Sequence, residues 1–227
     1  MVTIAERLNN AYDRITKAEQ NNQISDPVQL LAVSKTKPIE LIQQAYDAGQ
    51  RLFGESYVQE AVDKVIHFKH YRDIDWHFIG PIQSNKSRHI AEHFSWVQSV
   101  DRVKIARRLS EQRPTNLKPL NILIQVNISG DEKKSGCMLG ELSELAEFIE
   151  SSKQLTLRGL MTITAQTDDE TLQLQYFQQM KDCFDKLKTQ YPNIDTLSMG
   201  MSGDLEPAIA AGANMVRIGT DIFGKRQ

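Results

Sequence analysis

The chain has 227 residues, 40% hydrophobic and 25% charged, with 27 basic and 29 acidic side chains and a formal net charge of −2. Such a composition excludes a disordered chain and gives no electrostatic reason to expect nucleic acid or an anionic membrane as the main partner. Two cysteines, Cys137 and Cys183, make neither a C-x-x-C pair nor a disulfide framework. With no apolar run near the ~20 residues of a membrane span and no apolar signal core at the N-terminus, a cytoplasmic protein is expected.

Residues 2–20 place Ile4, Leu8, Ala11, Ile15 and Ala18 on one helical face. LLAV (30–33) is the apolar run of a parallel strand covered on both sides, and it leads to Lys35 at its carboxyl end. Pro38 fits the first turn of a short helix that Gly49 caps. RLFGES (51–56) is a second strand, and Val58, Ala61, Val62 and Val65 bring back helical spacing. DWHFIG (75–80) is a third strand, followed by a short helix over 84–92 and a fourth strand, FSWVQSV (94–100). Val103, Ile105, Ala106 and Leu109 mark a helix, LNILIQVNIS (120–129) a fifth strand, and Leu142, Leu145, Ala146 and Ile149 another helix. LRGLMTI (157–163) is a sixth strand. The longest helix follows, with a capping box at Thr167-x-x-Glu170, Phe177, Met180, Phe184 and Leu187 on one face, and Pro192 as its stop. TLSMGMS (196–202), a short helix over Pro207 to Ala211, and MVRIG (215–219) complete the pattern.

Strict strand–helix alternation predicts an α/β fold with a parallel sheet. Eight such units fit a closed (β/α)8 TIM barrel, here with an extra N-terminal helix, in one domain over 1–227; an open doubly wound sheet is the alternative. AYDAGQRLFG (45–54) and AIAAGANMVRIG (208–219) repeat one helix–turn–strand unit, in keeping with the barrel.

In such a barrel the loops after the strands build the site. MSGD (201–204) and RIGTDIFG (217–224) each offer a glycine and a hydroxyl after strands seven and eight, where barrels often hold phosphate. Arg217, two residues before Gly219, shares its strand face and can point to the mouth. Closure of the barrel makes Lys35 on strand one a neighbour of these loops. A phosphate beside an amine suits a phosphorylated aldehyde, and a desolvated lysine among cations is an apt Schiff-base former. Pyridoxal 5′-phosphate has that anatomy; a Schiff-base sugar-phosphate aldolase would use similar parts. His89 and His93, four apart, have no evident third metal ligand, and His77 is expected to pack inside the barrel or near its mouth.

These stretches have a family likeness. LLAVSKTKP (30–38), FGESYVQEA (53–61), WHFIGPIQSNK (76–86), KSG (134–136), RGLMTI (158–163), SMGMSGDLEPAI (198–209) and VRIGTDIFG (216–224) closely resemble the pyridoxal phosphate homeostasis protein family, whose single domain is similar to the barrel of alanine racemase. The resemblance implies that Lys35 forms the covalent aldimine, that Ser202, Arg217, Gly219 and Thr220 hold the phosphate and ring, and that Ser198 and Met199 lie under the ring. Ser56 stands where the family usually has asparagine and keeps a shorter hydrogen-bonding group; Lys37 and Lys134 also match family lysines.

The function so implied is to hold, buffer and deliver pyridoxal phosphate, with no catalytic or metal-binding residues of its own, apo-enzymes dependent on that cofactor as recipients, and a monomeric state. The sequence ends soon after the eighth strand, so the second domain that brings alanine racemase its opposite base is not expected. The alternatives are a pyridoxal-phosphate-dependent racemase or decarboxylase of the same fold, and an interaction protein using a surface helix.

Overall fold

The computed structural model describes residues 2–165, 167 and 169–225. Eight parallel strands close a barrel in sequence order: β1 (Gln29–Val33), β2 (Leu52–Glu55), β3 (Asp75–Phe78), β4 (Trp96–Val100), β5 (Leu120–Gln125), β6 (Leu155–Met161), β7 (Thr196–Met201) and β8 (Met215–Ile218). The seam pairs β1 with β8, Gln29 through Ala32 lying opposite Met215 through Ile218. The open-sheet alternative is therefore set aside.

Helices α2 (Ile39–Asp47), α3 (Val58–His67), α4 (Ser87–His93), α5 (Val103–Gln112), α6 (Leu142–Glu150), α7 (Glu170–Gln190) and α8 (Leu205–Ala210) connect the strands, and α9 (Thr220–Phe223) follows β8. No helix among the described residues is long and apolar enough to cross a membrane.

Ahead of the barrel, α1 (Ile4–Asn21) buries the five residues its spacing singled out, Ile4, Leu8, Ala11, Ile15 and Ala18. Each fully buried Leu or Ile stabilises by about 1.5–3 kcal/mol, so this stripe alone holds α1 in place. Its own contacts run mainly to α8 and α9. Thr3 and Glu6 form a capping box that starts α1.

The capping box expected at Thr167 and Glu170 is not formed. Asp169 is the N-cap of α7, its carboxylate accepting from Thr171 N and Leu172 N, while Thr167 Oγ1 accepts from Asp169 N. The helix starts at Glu170, which leaves that glutamate at the first helical position, too early to reach back to a cap. Strand five also stops before its expected end at 129: Val126 instead bridges to Cys137, which carries the chain into a loop.

Sheet closure is tight at Gly159. Its φ is +148°, and a Cβ there would lie 1.9 Å from Thr196 O. Since backbone cannot swing aside as a flexible side chain does, Gly159→Ala is expected to cost about 2–3 kcal/mol. Urea midpoints would measure this; a loss below about 0.5 kcal/mol would mean that β6 and β7 part more easily than their geometry implies.

Candidate functional site

Lys35 follows β1 and is half-buried at the carboxyl edge of the barrel. Thr36, immediately after it, is a non-glycine residue at φ 63°, an uncommon left-handed conformation. The reason this turn persists lies beside it. Thr36 N donates to Glu60 Oε1 at 2.7 Å, and Lys64 Nζ donates to the same oxygen at 2.5 Å. Lys64 Nζ also donates to Ser34 O and to Glu55 Oε1, both at 2.8 Å, and Ser34 Oγ donates to Glu55 Oε1 at 2.6 Å. Ser34, Glu55 and Lys64 are all buried. Burial pushes the Glu55 carboxyl up, and the Lys64 ammonium pulls it back down. This buried ion cluster braces both sides of Lys35.

A cleft of ≈ 340 Å³ opens beside Lys35, lined by Val33, Ser56, Ile79, Ile163, Met201, Ser202, Gly203, Arg217, Gly219 and Thr220. Its volume is that of a small-ligand site, about 300–1,000 Å³. Strand seven shapes one wall. Its pairing with β8 shifts register between Ser198 and Met201, and a bulge of this kind re-aims the residues that follow it. Across the seam, a Cβ at Gly219 would meet Val33 O at 3.2 Å and Val33 Cβ at 3.3 Å, so glycine lets the β8 loop lie against β1. Ser56 is set by Gly80, whose own Cβ would fall 2.2 Å from Ser56 O.

Arg217 is the buried cation at this cleft. Its Nη1 donates to Ser198 Oγ and its Nη2 to Thr162 O, both at 2.8 Å. Desolvation lowers its pKa to about 10, with Asp204 opposing that shift, so it stays charged at neutral pH. Ser198 Oγ in turn donates to Gln98 Oε1 at 2.8 Å. Gln98 Nε2 lies 2.8 Å from His77 Nδ1 and 3.2 Å from Met215 Sδ. Gln98 on β4 thereby reaches residues on β3, β7 and β8, and the barrel is plugged by a polar chain rather than by hydrocarbon alone. His77 is wholly buried and stacks on Trp96, with burial lowering its pKa to about 3.

Of the residues named from the sequence, Lys35, Ser56, Ser202, Arg217, Gly219 and Thr220 come together around one cleft. Ser198 lies behind them and reaches the cleft through Arg217. Met199 is buried in the apolar core and does not line the cleft. Alternation along β7 explains the difference, because Ser198 turns into the barrel and its neighbour turns away. Lys37 donates to Gly224 O at 2.9 Å and Lys225 O at 2.8 Å, tying down the segment after α9. Lys134 lines a separate ≈ 210 Å³ cavity with Lys133, Ser135 and Gln125, which borders the cleft through Ile79 and Ile163.

A wider cavity of ≈ 530 Å³ adjoins the cleft through Met201 and Gly203 and holds Thr164, Gln173 and Asp204, but no lysine. The amine and the β8 glycine loop line the smaller space, and the β7 glycine loop borders both. Sequence reasoning missed Gln98, Lys64 and Arg14; the last donates to Ser202 O at 2.9 Å from outside the barrel.

Known proteins resemble this chain over its length. The alanine racemase N-terminal domain family matches residues 12–227. The pyridoxal phosphate homeostasis protein of Vibrio alginolyticus is 56% identical over 230 residues, covering 100% of this chain and 99% of its own. That of Escherichia coli strain K12 is 53% identical over 229 residues, covering 100% and 98%. The solved structure of PipY from Synechococcus elongatus with pyridoxal phosphate bound superposes with a TM-score of 0.81 at 36% identity, covering 98% of this chain and 100% of that one. Likeness over the whole length makes this chain a member of the pyridoxal phosphate homeostasis protein family.

Proposed function

We propose that the chain holds pyridoxal 5′-phosphate in the Lys35 cleft and passes it on. The observation that carries this reading is the convergence of a lysine, a buried arginine and two hydroxyl-bearing glycine loops on one cleft of small-ligand size. When bound, this cofactor supplies an aldehyde with which a primary amine condenses, releasing water.

The donor set fits that group. Lys35 Nζ is the amine. Ser202 and Thr220 offer hydroxyls, and Gly203 and Gly219 leave the backbone open to a phosphate. Arg217 supplies fixed positive charge at the cleft wall, held in place by Ser198 and Thr162. Ser56 closes the side nearest β2. Gly203 and Thr220 are exposed and Met201 is 38% exposed, so the rim is in contact with solvent. Such a rim suits a ligand that has to leave again. In this reading the protein works as a monomer in the cytoplasm, where free Cys137 and Cys183 are at home, and the recipients are apo-enzymes that need the cofactor.

Incubation with pyridoxal phosphate should give a visible absorption band that borohydride bleaches, with the reduced label on the Lys35 peptide. Lys35→Ala should lose both band and label while keeping its melting temperature. A label that stays in Lys35→Ala would remove this lysine from the reading. Robust, Lys35-dependent exchange of amino-acid Cα protons in deuterated water would replace the carrier with a racemase-type enzyme.

A further inference from the structure

Arg14 lies on α1, outside the barrel and outside the cleft, yet it binds both loops that follow β7 and β8. Its Nε donates to Glu206 Oε1 at 2.8 Å and its Nη2 to Glu206 Oε2 at 2.9 Å, a forked pair with one carboxylate. The same Nη2 donates to Ser202 O at 2.9 Å, and Nη1 donates to Asp221 Oδ2 at 2.8 Å. One guanidinium thus joins the backbone of a cleft residue, the helix after the β7 loop, and the residue next to Thr220.

Two physical consequences follow. The first is geometric. A planar guanidinium fixes its partners in one plane, so the separation of the two loops is set from outside by a rigid strut. The second is electrostatic. Glu206 and Asp221 are anions next to loops that in the proposed function receive a phosphate, and each would repel it. Arg14 pairs with both and halves their net charge, and it holds the Glu206 carboxyl below the usual carboxylate range. The three side chains are 35%, 48% and 41% exposed, so no single pair is strong on its own. The arrangement matters because one cation serves two anions and a carbonyl at once.

Resting on the proposed cofactor reading, we infer that Arg14 is a positioning residue of the phosphate-binding loops: it spaces them and offsets part of the charge of the two carboxylates that would oppose a phosphate. The effect is specific to the phosphorylated ligand. Arg14 acts on the loops through Glu206, Asp221 and the Ser202 carbonyl.

The test compares pyridoxal phosphate with unphosphorylated pyridoxal, titrated by absorbance into wild type, Arg14→Met, Arg14→Lys and the triple variant Arg14→Met/Glu206→Gln/Asp221→Asn, with a melting curve for each. For Arg14→Met, pyridoxal phosphate affinity should fall about tenfold or more while pyridoxal changes by less than about twofold. The triple variant should recover part of that loss because the carboxylates are gone. Should Arg14→Met fail to fold, Arg14→Lys keeps the charge without the fork and should show a smaller loss with the same selectivity. Equal weakening of both ligands, or an unchanged pyridoxal phosphate affinity, would overturn the role of Arg14. A wild-type protein that binds neither ligand would instead overturn the cofactor reading on which it rests.

Discussion

Lys64→Met is expected to remove about 3–5 kcal/mol of folding stability at neutral pH, because it leaves the Glu55 carboxylate buried without its cation. Lys64 is 4% exposed and Glu55 is 0% exposed, so water cannot take the place of the lost ammonium. The loss should depend on pH in a definite direction. With Lys64 present, its charge opposes the upward push that burial gives the Glu55 carboxyl. In the variant that opposition is gone, and the folded state takes up a proton that the unfolded carboxyl, near 4.3, does not hold at neutral pH. A group whose folded pKa is raised gives its stability below the unfolded pKa and loses it as pH rises through the folded one. The penalty of Lys64→Met should therefore shrink on acidification, and Lys64→Met/Glu55→Gln should recover much of it at neutral pH. Urea titrations of wild type and the two variants at several pH values would measure both effects. A single variant within about 1 kcal/mol of wild type at neutral pH would mean that the cluster is better hydrated than its burial implies.

The second large effect concerns His77. Folded His77 stays neutral down to about pH 3, whereas the unfolded imidazole takes up its proton near 6.5. Below that upper value the unfolded chain binds more protons, so stability falls as pH falls. The slope from this group approaches about 1.4 kcal/mol per pH unit and ends near the folded pKa. Asp101 and Asp204, whose carboxyls are raised mainly by burial, contribute with the opposite sign at the acid end of that range. The effect of His77 is therefore read as a difference. His77→Gln, which keeps a polar partner for Gln98, should flatten the fall of the urea midpoint between about pH 6.5 and 4 relative to wild type. Parallel curves for the two proteins would show that His77 is not the group that resists protonation.

The barrel was legible in the sequence wherever a strand is covered on both faces. Runs such as LLAV and LNILIQ have no polar alternation, and the structure buries them between the barrel interior and the helices. The α1 stripe was legible for a similar reason, since its period is that of a helix packed on one side. Lys35, Arg217 and the two glycine loops could be read from their positions at strand ends. Ends of elements were less legible. Strand five stops where Cys137 pairs with Val126, a partner that local sequence cannot reveal, and the cap of α7 falls to Asp169 because Thr167 Oγ1 takes the Asp169 amide and leaves the first helical amides to the Asp169 carboxylate.

What could not be read was the second layer. Glu55 and Lys64 look like ordinary surface residues until β2 and α3 bury them together. Gln98 reaches Ser198 and Met215 only when the barrel closes. Arg14 sits near the start of the chain, and its partners lie near the far end. Met199 and Ser198 are adjacent in the motif, and only the pleat of β7 separates a core residue from one that holds Arg217.

The seam between β1 and β8 has a consequence for how the protein is made. Lys35 stands on the first strand and Arg217 on the last, and the two strands pair directly. Contacts so far apart in sequence form late, after the cost of closing a long loop has been met. On the ribosome the lysine emerges early and the arginine only after seven of the eight strands have been synthesised. A nascent chain therefore carries its amine for most of its synthesis without the opposite wall of the cleft, and the cleft is completed at one late step, when the circle of strands closes.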